Sequence, residues 1–208
     1  MKEQRGFLSM LKLGIILALY ATAACVMLAF VYSGTEKIIA QRQQADTEAA
    51  LKELFPDALS FREIQNINSS DPAVTVENGY EAIKDDMSIG AILQLSRASY
   101  GGPIKLLTGV SVDGVITGVR ILEHQETPGL GANAGSPSYF VDRARGITFY
   151  GQFAGKKAND PFEIKNDVSA ITAATITSRA VTDAVKAAGI SVASWYDSTN
   201  AKASGDKK

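Results

Sequence analysis

Four hydroxyl side chains lie close together in the segment ITAATITS (171–178). They are Thr172, Thr175, Thr177 and Ser178. Apolar residues at helical spacing follow, so the segment precedes a predicted helix. A helix N-terminus presents unpaired N–H groups and a positive dipole end, which suit a phosphate, and the small Ala173 and Ala174 allow close approach. The same hydroxyls would equally serve as an ordinary helix N-cap.

A glycine-rich segment, HQETPGLG (124–131), is the second candidate for chemistry. Backbone N–H groups of such a loop can closely approach a phosphate or a flat ligand. A plain loop leaving a hairpin is the alternative. His124 and Glu126 could form an acid–base pair, but no nucleophile or second carboxylate is spaced to complete a hydrolytic site, so we predict no catalytic residue. A third segment, YGGPI (100–104), alone predicts only a turn.

The overall composition excludes several kinds of protein. The 208 residues contain 21 basic and 22 acidic side chains, so no basic surplus exists for nucleic-acid binding. One cysteine, Cys25, and one histidine cannot by themselves bind an iron–sulfur cluster or a structural zinc ion. We therefore predict no metal site. An electron carrier of this composition would have to hold another redox group.

A charge-free run from Leu13 to Tyr32 predicts one membrane-spanning helix, since about 20 apolar residues cross a bilayer. The basic residues Lys2, Arg5 and Lys12 precede it and favour a cytoplasmic N-terminus. A cleaved signal peptide is the alternative, but its apolar core is usually only about 7–15 residues. A lipoprotein signal with Cys25 lipidated is the other alternative, but the sequence stays apolar after Cys25, where a mature lipoprotein would turn polar.

The remaining elements must position the candidate segments. Residues 36–54 lack Gly and Pro and predict a helical stalk that ends near Phe55-Pro56, and 66–72 predict a loop. Runs rich in β-favouring residues predict strands, and Asp113-Gly114 between two of them predicts a type I′ hairpin turn. Apolar residues on one face predict a helix over 177–188 that Gly189 caps. The predicted strands are 80–84, 89–98, 106–112, 115–122 and 147–150.

Strands and helices do not alternate, which favours an α+β fold with an antiparallel sheet and packed helices behind one transmembrane helix. The tail is polar and rich in Gly, Ser and Lys, so it is predicted to be disordered. The predicted parts are a cytoplasmic N-terminus with the anchor, a stalk and linker, a globular domain, and the tail: residues 1–34, 35–75, 76–195 and 196–208.

Over nearly its whole length, the chain resembles the G subunit of the Rnf electron-transport complex. The resemblance lies in the order and spacing of six elements: the anchor, the stalk, YGGPI, the Asp-Gly hairpin, ETPGLG and the Thr-rich segment. The C subunit of the sodium-translocating NADH:quinone reductase is similar in its FMN-binding domain. The resemblance implies that a flavin transferase joins FMN through its phosphate to Thr175, as a phosphoester. The family pattern DAITGATITS is here SAITAATITS (169–178), with Ser169 in place of Asp and Ala173 in place of Gly.

The same resemblance implies which residues contact the flavin and its phosphate. Beside Thr175, they are Thr172, Ala173, Ala174, Ile176, Thr177, Ser178, Glu126, Thr127, Gly129, Leu130 and Gly131. The chemistry would belong to the FMN, so no catalytic side chain is implied.

The resemblance also implies a setting. The chain would be a single-pass protein of the bacterial inner membrane, with its globular domain in the periplasm, embedded in lipid beside flavinylated and iron–sulfur-bearing subunits. The complex would couple electron flow between ferredoxin and NAD to ion movement. The alternatives are a component like the C subunit of the quinone reductase, an extracytoplasmic module that binds a phosphate-bearing ligand non-covalently, and a cofactor-free assembly protein.

Overall fold

A computed structural model describes residues 2–65 and 67–205, with the side chains of 10–65 and 67–199. The first helix, α1, runs from Lys2 to Leu54, so anchor and stalk belong to one helix that ends where predicted. The chain forms two compact units that divide between Asp46 and Thr47. In the first unit every described side chain from Met10 to Asp46 is exposed. Among the described residues, this helix alone is long and apolar enough to cross a membrane.

The second unit contains a five-stranded antiparallel sheet in the order β1-β2-β3-β4-β5. This arrangement confirms the predicted fold class. The sequence did not predict β1, and it underestimated β2 because Glu77, Asn78 and Gly79 interrupt the apolar pattern. Residues 67–72 form no helix or strand, as predicted, while Asn66 lies outside the described residues. The strands are Ser60–Glu63, Val74–Lys84, Met87–Ala98, Pro103–Ser111 and Ile116–Glu123.

The turn types differ from the prediction. Asp85 and Asp86 both have positive φ, 50° and 60°, and they connect Lys84 to its partner Met87. Two residues of positive φ make a type I′ turn, so this turn joins β2 to β3. In the predicted Asp113-Gly114 turn only Gly114 has positive φ, 74°. The β4–β5 hairpin is therefore confirmed, but its longer loop has a single left-handed residue.

Smaller elements follow the sheet. Two short 3-10 helices, Gly131–Gly135 and Gly151–Phe153, accompany a two-stranded sheet. Its strands are β6, Phe140–Asp142, and β7, Ile147–Thr148. The strand predicted over 147–150 is therefore shorter, because a turn begins at Phe149, whose buried ring packs edge-on against Phe153.

The last helix, α2, extends from Thr175 to Gly205 and packs on β3 and β4. Gly189 therefore lies inside this helix and does not cap it. A Cβ there would lie 3.1 Å from Ala158 Cα, so its missing side chain permits close packing. In the tail predicted to be disordered, 196–208, the structure continues α2 to Gly205, and the half-buried Tyr196 packs against the core. Residues 206–208 lie outside the described residues.

Two apolar clusters cover opposite faces of the sheet. The larger lies between the sheet and α2. On the other face, the end of α1 packs Leu51, Leu54 and Phe55 against Ile92 and Leu107. Both clusters bury apolar area, which is the main force that stabilises such a domain.

Glycines on three strands make room for the end of α1. A Cβ on Gly90 would clash with the Phe55 ring, and one on Gly118 would lie 2.9 Å from Leu54 Cδ2. A Cβ on Gly109 would lie 3.1 Å from Phe55 Cε2. The sheet therefore has a strip without side chains in which the helix end lies.

Candidate functional site

The segment with four hydroxyls forms a tight turn and the first turn of α2. Ala173 has a φ of +59°, and the Ser178 N–H makes the first helical hydrogen bond, to Ala174 O at 2.9 Å. The Ser178 hydroxyl donates to the same carbonyl and accepts from the Ile171 N–H, each at 2.9 Å. Ser178 is completely buried, so its hydroxyl holds the turn against the helix.

The four hydroxyls therefore have different surroundings. Thr177 is 1% exposed, and its hydroxyl donates to Glu126 Oε2 at 2.9 Å. Thr172 and Thr175 are exposed. Thr175 is the first residue of α2, where backbone N–H groups have no partner within the helix. Of the four, Thr175 alone combines an accessible hydroxyl with a place at the helix N-terminus.

Glu126 connects three segments that are distant in the sequence. Its carboxylate accepts the Thr177 hydroxyl through Oε2 and the Gly101 N–H through Oε1, the latter at 3.2 Å. The side chain is 7% exposed. Burial by itself would raise the pKa of Glu126. The Ser99 side chain, the hydrogen bonds from Gly101 and Thr177 and the nearby His124 together outweigh burial and lower the pKa below its usual value. Glu126 is therefore a carboxylate at neutral pH.

His124 has a local role in the same loop. Its Nδ1 accepts a hydrogen bond from the Glu126 backbone N–H at 3.4 Å. The two side chains do not form the hydrogen-bonded acid–base pair that the sequence had left open, because the ring contacts the main chain and the carboxylate faces Thr177 and Gly101.

Two glycines bring these segments into direct contact. A Cβ on Gly131 would clash with Glu126 Oε2 and would lie 2.7 Å from Thr177 Oγ1. A Cβ on Gly101 would clash with the Gln125 carbonyl oxygen. Both positions therefore require glycine, because Gly131 packs against the Glu126 and Thr177 side chains and Gly101 packs against the Gln125 backbone.

The three segments enclose a cleft of about 580 Å³, within the usual range for ligand sites. Most of the predicted site residues line it: Glu126, Thr127, Leu130, Gly131, Ala173, Ala174, Thr175, Ile176 and Thr177. Thr172, Gly129 and Ser178 are outside this lining. Tyr100 also lines the cleft and was not among the predicted site residues. The YGGPI motif had singled out this segment, but only the tertiary structure places Tyr100 at the cleft.

The cleft fits the group that the resemblance implies. Leu130, Ile176 and Tyr100 supply apolar surface for a flat ring, while the first turn of α2 supplies N–H groups and a positive dipole end for a phosphate. Among the described residues, no group of three or more His, Cys, Asp or Glu side chains is arranged to hold a metal ion.

Comparison with known proteins agrees with the geometry. Residues 99–189 match the family model of the FMN-binding domain, and residues 1–54 match that of the RnfG N-terminal region. The first of these ranges includes every residue that lines the cleft.

Three relatives cover most of the chain. The G subunit of the proton-translocating ferredoxin:NAD(+) oxidoreductase complex of Clostridium ljungdahlii is 34% identical over 78% of this chain and 80% of the relative. The G subunit of the ion-translocating oxidoreductase complex of Erwinia tasmaniensis is 32% identical over 84% of this chain and 86% of the relative. The G subunit of the Na(+)-translocating ferredoxin:NAD(+) oxidoreductase complex of Acetobacterium woodii is 30% identical over 88% of this chain and 92% of the relative.

Among solved structures, Shewanella oneidensis NqrC aligns with a TM-score of 0.44 and 16% identity, over 65% of this chain and 80% of that chain.

Proposed function

Because the chain belongs to the family of G subunits of Rnf-type, ion-translocating oxidoreductase complexes and contains the FMN-binding domain, we propose that it relays electrons through an FMN joined by its phosphate to Thr175. One observation carries the choice of residue. Thr175 has the exposed hydroxyl at the cleft and at the start of α2, whereas Thr177 and Ser178 are buried and hydrogen-bonded.

The attachment requires an activated donor, because FMN and a hydroxyl do not condense by themselves in water. On a flavin transferase, a flavin dinucleotide would be this activated donor. The Thr175 oxygen forms a bond to the FMN phosphorus, the P–O bond to the AMP half breaks, and AMP leaves while the hydroxyl proton is lost. An exposed threonine at a helix start is open to such an enzyme, while a buried one is not.

The chain's own residues hold and orient the group. The N–H groups of the first α2 turn and the positive end of the helix dipole would hold the negatively charged phosphate. Thr127 and the backbone of the loop up to Gly131 line the cleft beside it. When bound, the isoalloxazine ring of FMN accepts and donates one or two electrons. A covalent tether keeps FMN in place outside the cytoplasm, where free FMN would diffuse away.

The setting is the second part of the proposal. The domain lies on the periplasmic side of the inner membrane, its N-terminus is cytoplasmic, and its partners are the flavinylated and iron–sulfur-bearing subunits of the complex. The charge-free Leu13–Tyr32 segment supports this single-pass placement. A helix without internal charged residues offers no ion path, so ion movement belongs to the other subunits. Protease added to intact spheroplasts should digest the domain, and full protection would refute the orientation.

Intact-mass measurement after coexpression with a flavin transferase tests the attachment. The full chain should gain the mass of FMN less one water, and a denaturing gel should show a fluorescent band. Thr175→Val keeps the side-chain shape and removes the hydroxyl, so it should abolish both signals.

Two exposed threonines provide matched controls. Thr127 lines the same cleft, and Thr172 lies in the turn that precedes α2, three residues before Thr175. Thr127→Val and Thr172→Val should both retain the added mass. Loss of the mass in either variant, with retention in Thr175→Val, would refute the assignment. Flavin that separates on denaturation would favour the non-covalent module, and a flavin-free chain would favour the assembly protein. The three relatives described above are G subunits, which disfavours the alternative that resembles the quinone reductase component.

A further inference from the structure

We propose that Tyr100 packs its ring against the isoalloxazine of the attached FMN. This inference rests on the proposed function and adds a flavin-contacting residue to it. Tyr100 lines the same cleft as Thr175, although 75 positions separate them in the sequence.

The backbone on both sides of Tyr100 is fixed. The Ser99 N–H donates to Gly102 O at 2.9 Å across the turn. The Gly101 N–H donates to Glu126 Oε1 at 3.2 Å, and the Gln125 carbonyl occupies the space that a Cβ of Gly101 would need. The loop therefore presents Tyr100 from a defined position, so little ordering is needed when a ring packs on it.

The side chain itself is far from buried. Tyr100 is 72% exposed, and it shares the cleft with Ile176, 59% exposed, and Leu130, 40% exposed. Three large apolar side chains from three separate segments thus surround one cleft. Exposed apolar surface that is gathered in one place marks a binding site, and a flat aromatic group suits it because rings stack on tyrosine.

The tether makes this contact sterically reasonable. Ile176 follows Thr175 directly, so the attachment point and one apolar side chain of the cleft are neighbours. The ribityl chain of FMN separates its phosphate from its ring, which allows the phosphate to lie at the start of α2 while the ring reaches the apolar side chains.

Flavin fluorescence is the decisive measurement. A tyrosine ring in contact with an excited flavin donates an electron to it, the electron then returns, and emission is quenched. Phenylalanine keeps the ring but is too weak a donor, and leucine removes the ring. In the full chain in detergent, flavinylated by the transferase, Tyr100→Phe and Tyr100→Leu should each raise emission severalfold per attached flavin. Tyr100→Trp should restore quenching, because indole is a good donor.

Two other tyrosines serve as controls. Tyr139 contacts the Thr-rich segment, since its hydroxyl accepts the Thr172 N–H at 3.2 Å, but it is outside the cleft lining. Tyr80 packs in the cluster with the end of α1. Tyr139→Phe and Tyr80→Phe should leave emission unchanged. Equal emission from wild type, Tyr100→Phe and Tyr100→Leu, with the flavin mass present in each, would overturn the contact. A wild-type chain without the flavin mass would instead overturn the proposed function on which it rests.

Discussion

Thr177 donates a 2.9 Å hydrogen bond to Glu126 across 51 positions of sequence, and both groups are buried. This bond joins the start of α2 to the glycine-rich loop, and Gly131 packs directly on it. The bond therefore holds the two sides of the cleft together.

Thr177→Val should lower the free energy of unfolding by about 2 kcal/mol, because a buried carboxylate loses a hydrogen-bond donor. Urea unfolding of the full chain in detergent, followed by the fluorescence of the single tryptophan, Trp195, measures this. Thr127→Val, an exposed change in the same cleft, should have little effect. Flavin attachment in Thr177→Val should persist, and a stability equal to that of wild type would contradict the role of the bond.

Stability should depend on pH through Glu126. The folded pKa of Glu126 is lowered, so the folded state favours the charged carboxylate more than the unfolded chain does, whose pKa is about 4.3. The stabilisation is therefore present above that value and is lost as pH falls through the folded pKa. The difference in unfolding free energy between wild type and Glu126→Gln should be largest near neutral pH and should shrink in acid.

Asp167 does not obscure this comparison. Its pKa is lowered too: burial alone would raise it, but hydrogen bonds from Lys156 and the backbone of Glu163 and Phe162 outweigh burial. Because Asp167 is present in both proteins, its contribution cancels in the difference. A difference that stays constant down to strongly acidic pH would contradict the assignment to Glu126.

Ala173→Gly should stabilise the protein by about 0.5–1 kcal/mol. Ala173 has a φ of +59°, a conformation that costs an L-residue about 1–2 kcal/mol and that glycine adopts without this cost. Glycine also raises the conformational entropy of the unfolded chain, which offsets part of the stabilisation. Ala174→Gly is the control, because Ala174 is buried and has no positive φ, and this change should destabilise. Urea unfolding measures both, and a destabilised Ala173→Gly would show that the methyl group contributes packing that outweighs the strain.

Gly118→Ala and Leu54→Ala should each destabilise the packing of the α1 end. The new methyl group would meet Leu54 Cδ2 at 2.9 Å, and overpacking typically costs about 1–3 kcal/mol, while removing a buried Leu costs about 2–5 kcal/mol. The double variant should lose less stability than the sum, because the cavity accepts the methyl group. Additive losses in urea unfolding would mean that the two positions do not share this contact.

Much of the fold was predictable because it depends on local patterns. The charge-free run predicted the anchor, and the absence of Gly and Pro predicted the stalk to its observed end at Leu54. Runs rich in β-favouring residues, bounded by turn residues, located β3, β4 and β5 to within three residues. The C-terminal end of α2 was missed because Gly189 was interpreted by residue type, whereas its close packing against Ala158 decides its role.

By itself, the sequence determined which segments could carry the chemistry, since the Thr-rich, glycine-rich and YGGPI motifs are local. Only the tertiary structure decided how their members differ. In the structure Thr177 is buried against Glu126, and the Ser178 hydroxyl is hydrogen-bonded within the turn that precedes α2. Thr175 remains exposed, and Tyr100 lies at the same cleft. The physical reason is that burial and hydrogen-bond partners are set by residues far away in the chain, which no local pattern contains.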